Sequence, residues 1–250
     1  RRNDVFAASR DPGAGWRFAR RPSFFDEKQL VSLDITREDQ VRDLFASLKP
    51  RTIFNLSAYG AYERQQQVER IHAVNYMGTL NLMLAAREFG CDAFVQAGSS
   101  SEYGLNCTNA SEQSELVPNS DYAVSKAGAS YLIKYFGRIH SVPAAHLRLY
   151  SIYGPWEERD RLLPRLVQAG LEGRYPPLAG PKISRDFVYV DDATAAGVRA
   201  ALTVCRHEPG LTVNVASGVR TTLEEVAQAA QAEFKLSEGP TFGTMQNRRW

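Results

Sequence analysis

Tyr122 and Lys126 stand four residues apart in Tyr122-Ala-Val-Ser-Lys126, a spacing that puts a phenol and an ammonium on one face of a helix. An ammonium beside a phenol stabilises the phenolate, so the tyrosine becomes a group that takes or gives a proton. The same spacing also arises from an exposed Tyr and Lys on an amphipathic helix, and by itself it does not choose between the two readings. A second hydroxyl lies upstream in Gly98-Ser99-Ser100-Ser101-Glu102-Tyr103-Gly104, directly after the apolar run Ala93–Ala97. A hydroxyl at the carboxyl end of a parallel strand sits where α/β sheets bind ligands. Ser99, Tyr122 and Lys126 are therefore the candidate catalytic residues, for proton transfer at a substrate oxygen.

Holding such a set takes strands and helices in alternation. Residues 5–8, 30–33 and 52–56 read as strands, and Val41, Leu44, Phe45 and Leu48 recur at helical spacing within 37–48, a helix ended before Pro50. A long helix is expected over 67–89, closed by Gly90, and another over 122–138, capped by Asp121. Ala93–Ala97 and Ala144–Leu149 lack alternation, as strands covered on both faces do. This rhythm predicts an α/β doubly wound parallel sheet over residues 1–150. Beyond Tyr150, Pro155, Pro164, Pro176, Pro177 and Pro181 break the chain into short pieces that suit a smaller C-terminal substrate lobe over 151–250. A strand at 187–190, a helix at 191–205 and a strand at Leu211–Val215 are expected to return to the sheet, followed by a helix at 222–234.

Thirty Lys plus Arg against 28 Asp plus Glu leave a formal charge of +2, too weak a bias to point to nucleic acid. The three cysteines, Cys91, Cys107 and Cys205, form no Cys-x-x-Cys pair, which is not a disulfide framework and fits a reducing cytoplasm. His72, His140, His146 and His207 show no zinc spacing and read as ordinary surface or core residues, so no metal is expected. No run approaches the roughly 20 apolar residues that span a bilayer, so no membrane partner is expected.

Taken together, the Ser99 turn, Tyr122-x-x-x-Lys126, Asn75-Tyr-Met-Gly-Thr-Leu-Asn81 and Arg185-Asp-Phe-Val-Tyr-Val-Asp-Asp192 resemble the extended short-chain dehydrogenase/reductase family. Within it they resemble the NAD(P)-dependent nucleotide-sugar epimerases, dehydratases and ketoreductases. The resemblance runs from Val5 nearly to the end and implies a Rossmann fold. It implies that Tyr122 transfers the proton, that Lys126 holds the nicotinamide ribose and favours the phenolate, and that Ser99 binds the reacting sugar oxygen. Asn75 sits where relatives continue a proton relay, and helix packing is an equal reading of it. Asp34 and Ile35 stand at the adenine contact, and Leu56, Ser57 and Ala58 match the turn passing over the cofactor. Tyr150, Ser151 and Ile152 match the turn that touches cofactor and sugar, with Ser151 in place of the usual Asn. Arg185 resembles the residue gripping a sugar diphosphate.

Two positions bear on which reaction is run. Family dehydratases follow the catalytic hydroxyl with an acid pair, and here those positions are Ser100 and Ser101, which lack a carboxylate for that proton transfer. At the end of the strand 5–8, Ser9-Arg10 stands where NAD-preferring relatives carry an acid on the ribose diol. A guanidinium suits a 2′-phosphate, so NADP is the expected cofactor, with NAD the alternative if Asp11 takes the diol and Arg10 is solvated. The leading expectation is an NADPH-dependent reductase of a nucleotide-linked 4-ketosugar; the alternatives are a 4-epimerase with bound NAD and, less favoured, a non-catalytic dinucleotide-binding protein. No Gly-x-x-Gly-x-x-Gly turn occurs after the first strand, so about 30 further residues, one β-α step, are expected before Arg1. Arg248-Arg249-Trp250 resembles the point where relatives continue into a final helical segment. The helices 67–89 and 122–138 match the pair that forms a homodimer in relatives, and a nucleotide sugar is the expected small-molecule partner.

Overall fold

The computed structural model describes residues 4–13 and 27–245. The expected continuation at Arg248-Arg249-Trp250 lies outside them. The chain divides into two compact units, 1–147 with 197–213, and 148–196 with 214–250.

The first unit is α/β with parallel strands, as its sequence rhythm requires. β1 (Ala7–Ser9) pairs in parallel with β2 (Leu30–Ser32). A second sheet runs in the order β3 (Thr52–Asn55), β4 (Ala93–Ala97), β5 (Ala144–Leu149), β8 (Leu211–Val215). The β3–β4 and β4–β5 pairs are both parallel, with Asn55 opposite Gln96 and Gln96 opposite His146. The two sheets fit the doubly wound parallel arrangement expected from the sequence. In the doubly wound order a single strand position separates β1 from β3, and among the described residues no strand occupies it.

Helices α1 (Glu38–Leu48), α2 (Val68–His72), α3 (Gly78–Phe89) and α4 (Asp121–His140) supply the covering layers. Val41 and Phe45 of α1, Leu82 and Met83 of α3, and Ile133 and Phe136 of α4 join Leu33 and Phe94 in one buried cluster. The long helix expected over 67–89 carries a π turn, Ala73–Met77, between α2 and α3. Asn75 lies in it, and its carbonyl accepts the Thr79 hydroxyl at 2.7 Å. Such insertions often mark places where a helix serves a site rather than only a core. The cap of α4 also needs correcting: Ser120, not Asp121, is the N-cap, its hydroxyl accepting the Ala123 N–H at 3.2 Å. Asp121 instead places its charge in the first turn, where the helix dipole favours it.

In the second unit, β6 (Ser151–Tyr153) pairs in parallel with β7 (Ser184–Tyr189), and β7 pairs antiparallel with β9 (Arg220–Thr222). The segment 187–215, read from sequence as returning whole to the main sheet, therefore divides. Leu211–Val215 lies beside β5, whereas β7 finds its antiparallel partner in β9. α5 (Leu162–Leu171) was hidden by Pro164, which falls in its first turn, where a missing N–H costs no helical bond. α6 (Val190–Arg199) follows β7, and α7 (Leu223–Phe234) starts from a capping box of Thr222 and Glu225. Leu166, Leu178 and Ala227 centre this unit's small core. Among the described residues no helix is long and apolar enough to cross a membrane.

Candidate active site

Lys126 is the residue around which the first unit's polar groups gather. It is wholly buried in α4, and its Nζ donates to the Ala97 carbonyl at 3.0 Å and to the Ser57 carbonyl at 3.3 Å. These carbonyls lie at the carboxyl ends of the neighbouring strands β4 and β3. The ammonium is thus fixed on the rim where a doubly wound sheet binds its ligands, two residues ahead of Ser99. Burial pushes its pKa down from 10.5 to about 8, with the Glu102 charge pulling the other way.

Buried amides and hydroxyls hold this rim. Asn55 donates to Gln96 Oε1 at 2.8 Å and accepts the Ser57 hydroxyl at 2.6 Å, while Gln96 donates to the same Ala97 carbonyl at 3.1 Å. Asn75 closes the other side. It accepts the Tyr59 N–H at 2.9 Å, and donates to the Tyr59 carbonyl at 2.8 Å and to Ser125 Oγ at 2.9 Å. Both sequence readings of Asn75, relay and packing, gain a third: its amide clasps the backbone of the loop after β3 and ties it to α4. Satisfied buried amides of this kind rigidify a site because leaving any one unpaired is costly.

Tyr122 is half-buried, one turn before Lys126 on α4. Its ring lies against Gly60, where an added Cβ would come within 3.3 Å of Tyr122 Cδ2 and 2.9 Å of Ile71, at a φ of +98°. Glycine there is demanded by both space and backbone. Ser99 caps the 3-10 turn Ser100–Tyr103, its Oγ accepting the Ser101 N–H at 3.1 Å. With its oxygen engaged as an acceptor, the hydroxyl keeps its proton to donate.

The residues expected at the adenosine end of the cofactor sit at the ends of β1 and β2. The Ser32 hydroxyl donates to the Arg10 carbonyl at 3.1 Å. Asp34 Oδ1 takes both the N–H (3.0 Å) and the hydroxyl (2.8 Å) of Thr36. Burial raises the Asp34 pKa, but these bonds and the charges of Arg10 and Arg70 outweigh it and hold the carboxyl below its ordinary range. Arg10 and Asp34 therefore share one electrostatic neighbourhood. Ile35 packs under Gly78 and its carbonyl accepts from Asn81 at 2.9 Å, which pins the turn to α3. Leu56, 72% exposed, and Ala58 project at the end of β3, with Ser57 between them.

The residues present fit part of a dinucleotide. Lys126 spends two of its three N–H donors on carbonyls, leaving one for a ribose hydroxyl, and exposed Leu56 and Ala58 offer an apolar face. The glycine-rich turn that would meet the pyrophosphate is not among the 250 residues.

The second unit carries Tyr150, Ser151, Ile152 and Arg185. The Tyr150 N–H donates to the Val215 carbonyl at 3.1 Å, and the Ile152 N–H to the Tyr150 carbonyl at 2.9 Å. Arg185 is exposed, in register with Thr221, and donates to the Ser184 carbonyl at 3.2 Å. Sequence reasoning missed its neighbour Asp186, whose carboxylate takes the Ser217 N–H and hydroxyl and the Gly218 N–H, each at 2.8 Å. It also missed the role of His146, which is no ordinary core histidine. Its Nε2 is 2.8 Å from Glu102 Oε1, 44 positions away, and no local spacing announces such a pair.

This architecture is shared with known proteins. The chain is 28% identical over 232 residues to the low-salt glycan biosynthesis protein Agl12 of Haloferax volcanii, covering 90% of this chain and 71% of that protein. It is 29% identical over 224 residues to a UDP-glucose 4-epimerase of Mycolicibacterium smegmatis, covering 87% and 70%. It spans about half the length of other curated relatives. The UDP-glucuronic acid 4-epimerase of Bacillus cereus, solved with UDP-glucuronic acid and NAD, superposes with a TM-score of 0.81 at 22% identity, over 95% of this chain and 77% of that one. The model of the NAD dependent epimerase/dehydratase family matches residues 2–216, from before β1 to just past β8 and through every catalytic candidate. A buried ammonium at the rim of a parallel sheet, one turn from a tyrosine, is thus the local form of an extended short-chain dehydrogenase/reductase, and the chain belongs to the NAD-dependent epimerase/dehydratase family.

Proposed function

We propose that the chain catalyses reversible oxidation and reduction at C4 of a nucleotide-linked hexose, as a 4-epimerase using NAD. The observation that carries this reading is Lys126, dry and fixed on the carbonyls of Ser57 and Ala97, one turn after Tyr122 on α4. When bound, the nicotinamide supplies the hydride acceptor and donor. Tyr122, its phenolate favoured by Lys126, removes the C4 hydroxyl proton and later returns one. Ser99 donates its O–H to the same sugar oxygen and steadies the charge that develops there. Lys126 and the Asp34–Ile35 turn hold the two ends of the dinucleotide, and Arg185 and Ser151 contact the nucleotide sugar. Loss of water across C5 and C6 is not supported, because Ser100 and Ser101 offer no carboxylate for that transfer.

A second reading, NADPH-dependent reduction of a 4-ketosugar, is favoured by one observation: Arg10 lies within electrostatic reach of Asp34, where a 2′-phosphate would be met. Incubation with UDP- and dTDP-hexoses separates the two. Interconversion of C4 epimers, followed by proton NMR without net change in nicotinamide absorbance, is the result expected; steady loss of NADPH absorbance with a 4-ketosugar establishes the second reading instead.

We further infer a homodimer built on α4. Val124, Tyr131, Tyr135 and Ile139 are exposed and recur on one face of that helix. The double substitution Tyr131→Glu, Ile139→Glu is expected to convert a sedimenting dimer to a monomer while leaving the far-UV circular dichroism unchanged. Wild-type sedimentation as a monomer would overturn the assignment.

A further inference from the structure

Beneath Ser99 lies a buried acid–imidazole couple that the reaction above leaves unused. Glu102 and His146 are both fully buried, and Glu102 Oε1 receives the Ser99 N–H at 2.7 Å and His146 Nε2 at 2.8 Å. His146 Nδ1 has no hydrogen-bond partner. With the ring proton on Nε2, where it meets the carboxylate, only a lone pair is left unpaired at Nδ1, which is the less costly arrangement. The couple also dictates the residue above it. A Cβ on Gly98 would lie 2.2 Å from His146 Nε2 and 2.6 Å from Glu102 Oε1, so the turn passes over the pair only as glycine.

Burying a carboxylate and an imidazole is expensive unless each is hydrogen-bonded, and an apolar residue at 102 would also leave the Ser99 N–H without its acceptor. The carboxylate therefore has a use that packing does not supply. One end of Glu102 fixes the backbone of Ser99, the hydroxyl assigned to the sugar oxygen. The same carboxylate favours the charged form of Lys126, against the burial that opposes it.

We propose that Glu102, oriented by His146, is a positioning residue of this site: it sets the Ser99 turn and provides the negative charge against which the buried Lys126 ammonium is held. This rests on the site reading given above. The couple acts through Ser99 and Lys126 and touches no substrate. Glu102 comes from the 3-10 turn, His146 from β5 and Lys126 from α4.

Two substitutions separate the geometric and electrostatic parts. Glu102→Gln keeps an oxygen to accept from Ser99 and His146 but removes the charge. It is expected to lower the Lys126 titration midpoint, read by NMR of the labelled side chain, and to lower kcat about tenfold with KM within twofold. Glu102→Ala removes both and is expected to lower kcat about a hundredfold. The titration is read without turnover, so it answers for Glu102 even if the assigned reaction is wrong, whereas turnover surviving in Tyr122→Phe indicts the site reading itself. A folded Glu102→Gln protein with an unchanged Lys126 midpoint and unchanged kcat overturns the proposal. Should Glu102→Ala fail to fold, the isosteric Glu102→Gln protein still decides it.

Discussion

Tyr122→Phe is expected to lower turnover by about 10²–10⁴-fold, the range over which a positioned proton donor contributes, and to leave dinucleotide affinity within about twofold of wild type. The substitution removes one oxygen and keeps the ring. The ring lies against Gly60 and the substitution adds no atom to it, so phenylalanine occupies the same place without strain. The groups assigned to the cofactor, the Lys126 ammonium and the turns after β2 and β3, do not depend on the phenol for their hydrogen bonds. Affinity and turnover therefore separate: cofactor titration by nicotinamide fluorescence stays constant while single-turnover conversion slows. Turnover that survives at wild-type rate removes Tyr122 from proton transfer and leaves the fold assignment standing without its chemistry.

Much of this site could be read from sequence because its parts are short-range or periodic. Tyr122 and Lys126 share a helix, so their spacing is also their geometry. Ser99 follows an unbroken apolar strand, and a parallel sheet always presents its ligands at that end. What stayed hidden are the contacts that join distant segments. Asn55 and Gln96 are 41 positions apart, Asn75 and Ser125 are 50, and Glu102 and His146 are 44. Each is an ordinary polar residue in its own window, and only the pairing of β3, β4 and β5 brings them together. The misplaced cap at Asp121 has a similar origin. Both Ser and Asp are good N-caps, and Ser120 wins because its own backbone is extended there, so its hydroxyl meets the Ala123 N–H. The division of 187–215 between two sheets turned on β9, a three-residue strand too short to carry a periodic signal.

The charge on Lys126 has a measurable cost in stability, and its sign follows from the direction in which burial moves it. The folded chain releases this proton near pH 8, whereas the unfolded chain holds it to about 10.5. Below pH 8 both states are protonated and stability has no slope from this residue. Between 8 and 10.5 the unfolded chain binds the extra proton, so the folded state gains as pH rises. The gain from pH 7 to pH 10 is on the order of 2–3 kcal/mol, since each decade over which only the unfolded chain holds the proton adds roughly 1.4 kcal/mol. Cys91 and Cys205 act oppositely. Burial raises both thiols from 9.0 to about 11, so their contribution is complete below pH 9 and is lost as pH climbs through 11. The comparison must therefore be made against Lys126→Met, which keeps both thiols and the side-chain length but carries no charge. Its lost bonds to Ser57 and Ala97 cost the same at either pH and cancel. Urea unfolding of both proteins at pH 7 and pH 10 should show wild type gaining about 2–3 kcal/mol relative to the variant, which is also expected to have lost turnover. An identical pH response in the two proteins would mean that the ammonium is solvated, and a solvated ammonium could not favour the phenolate on which the proposed chemistry depends.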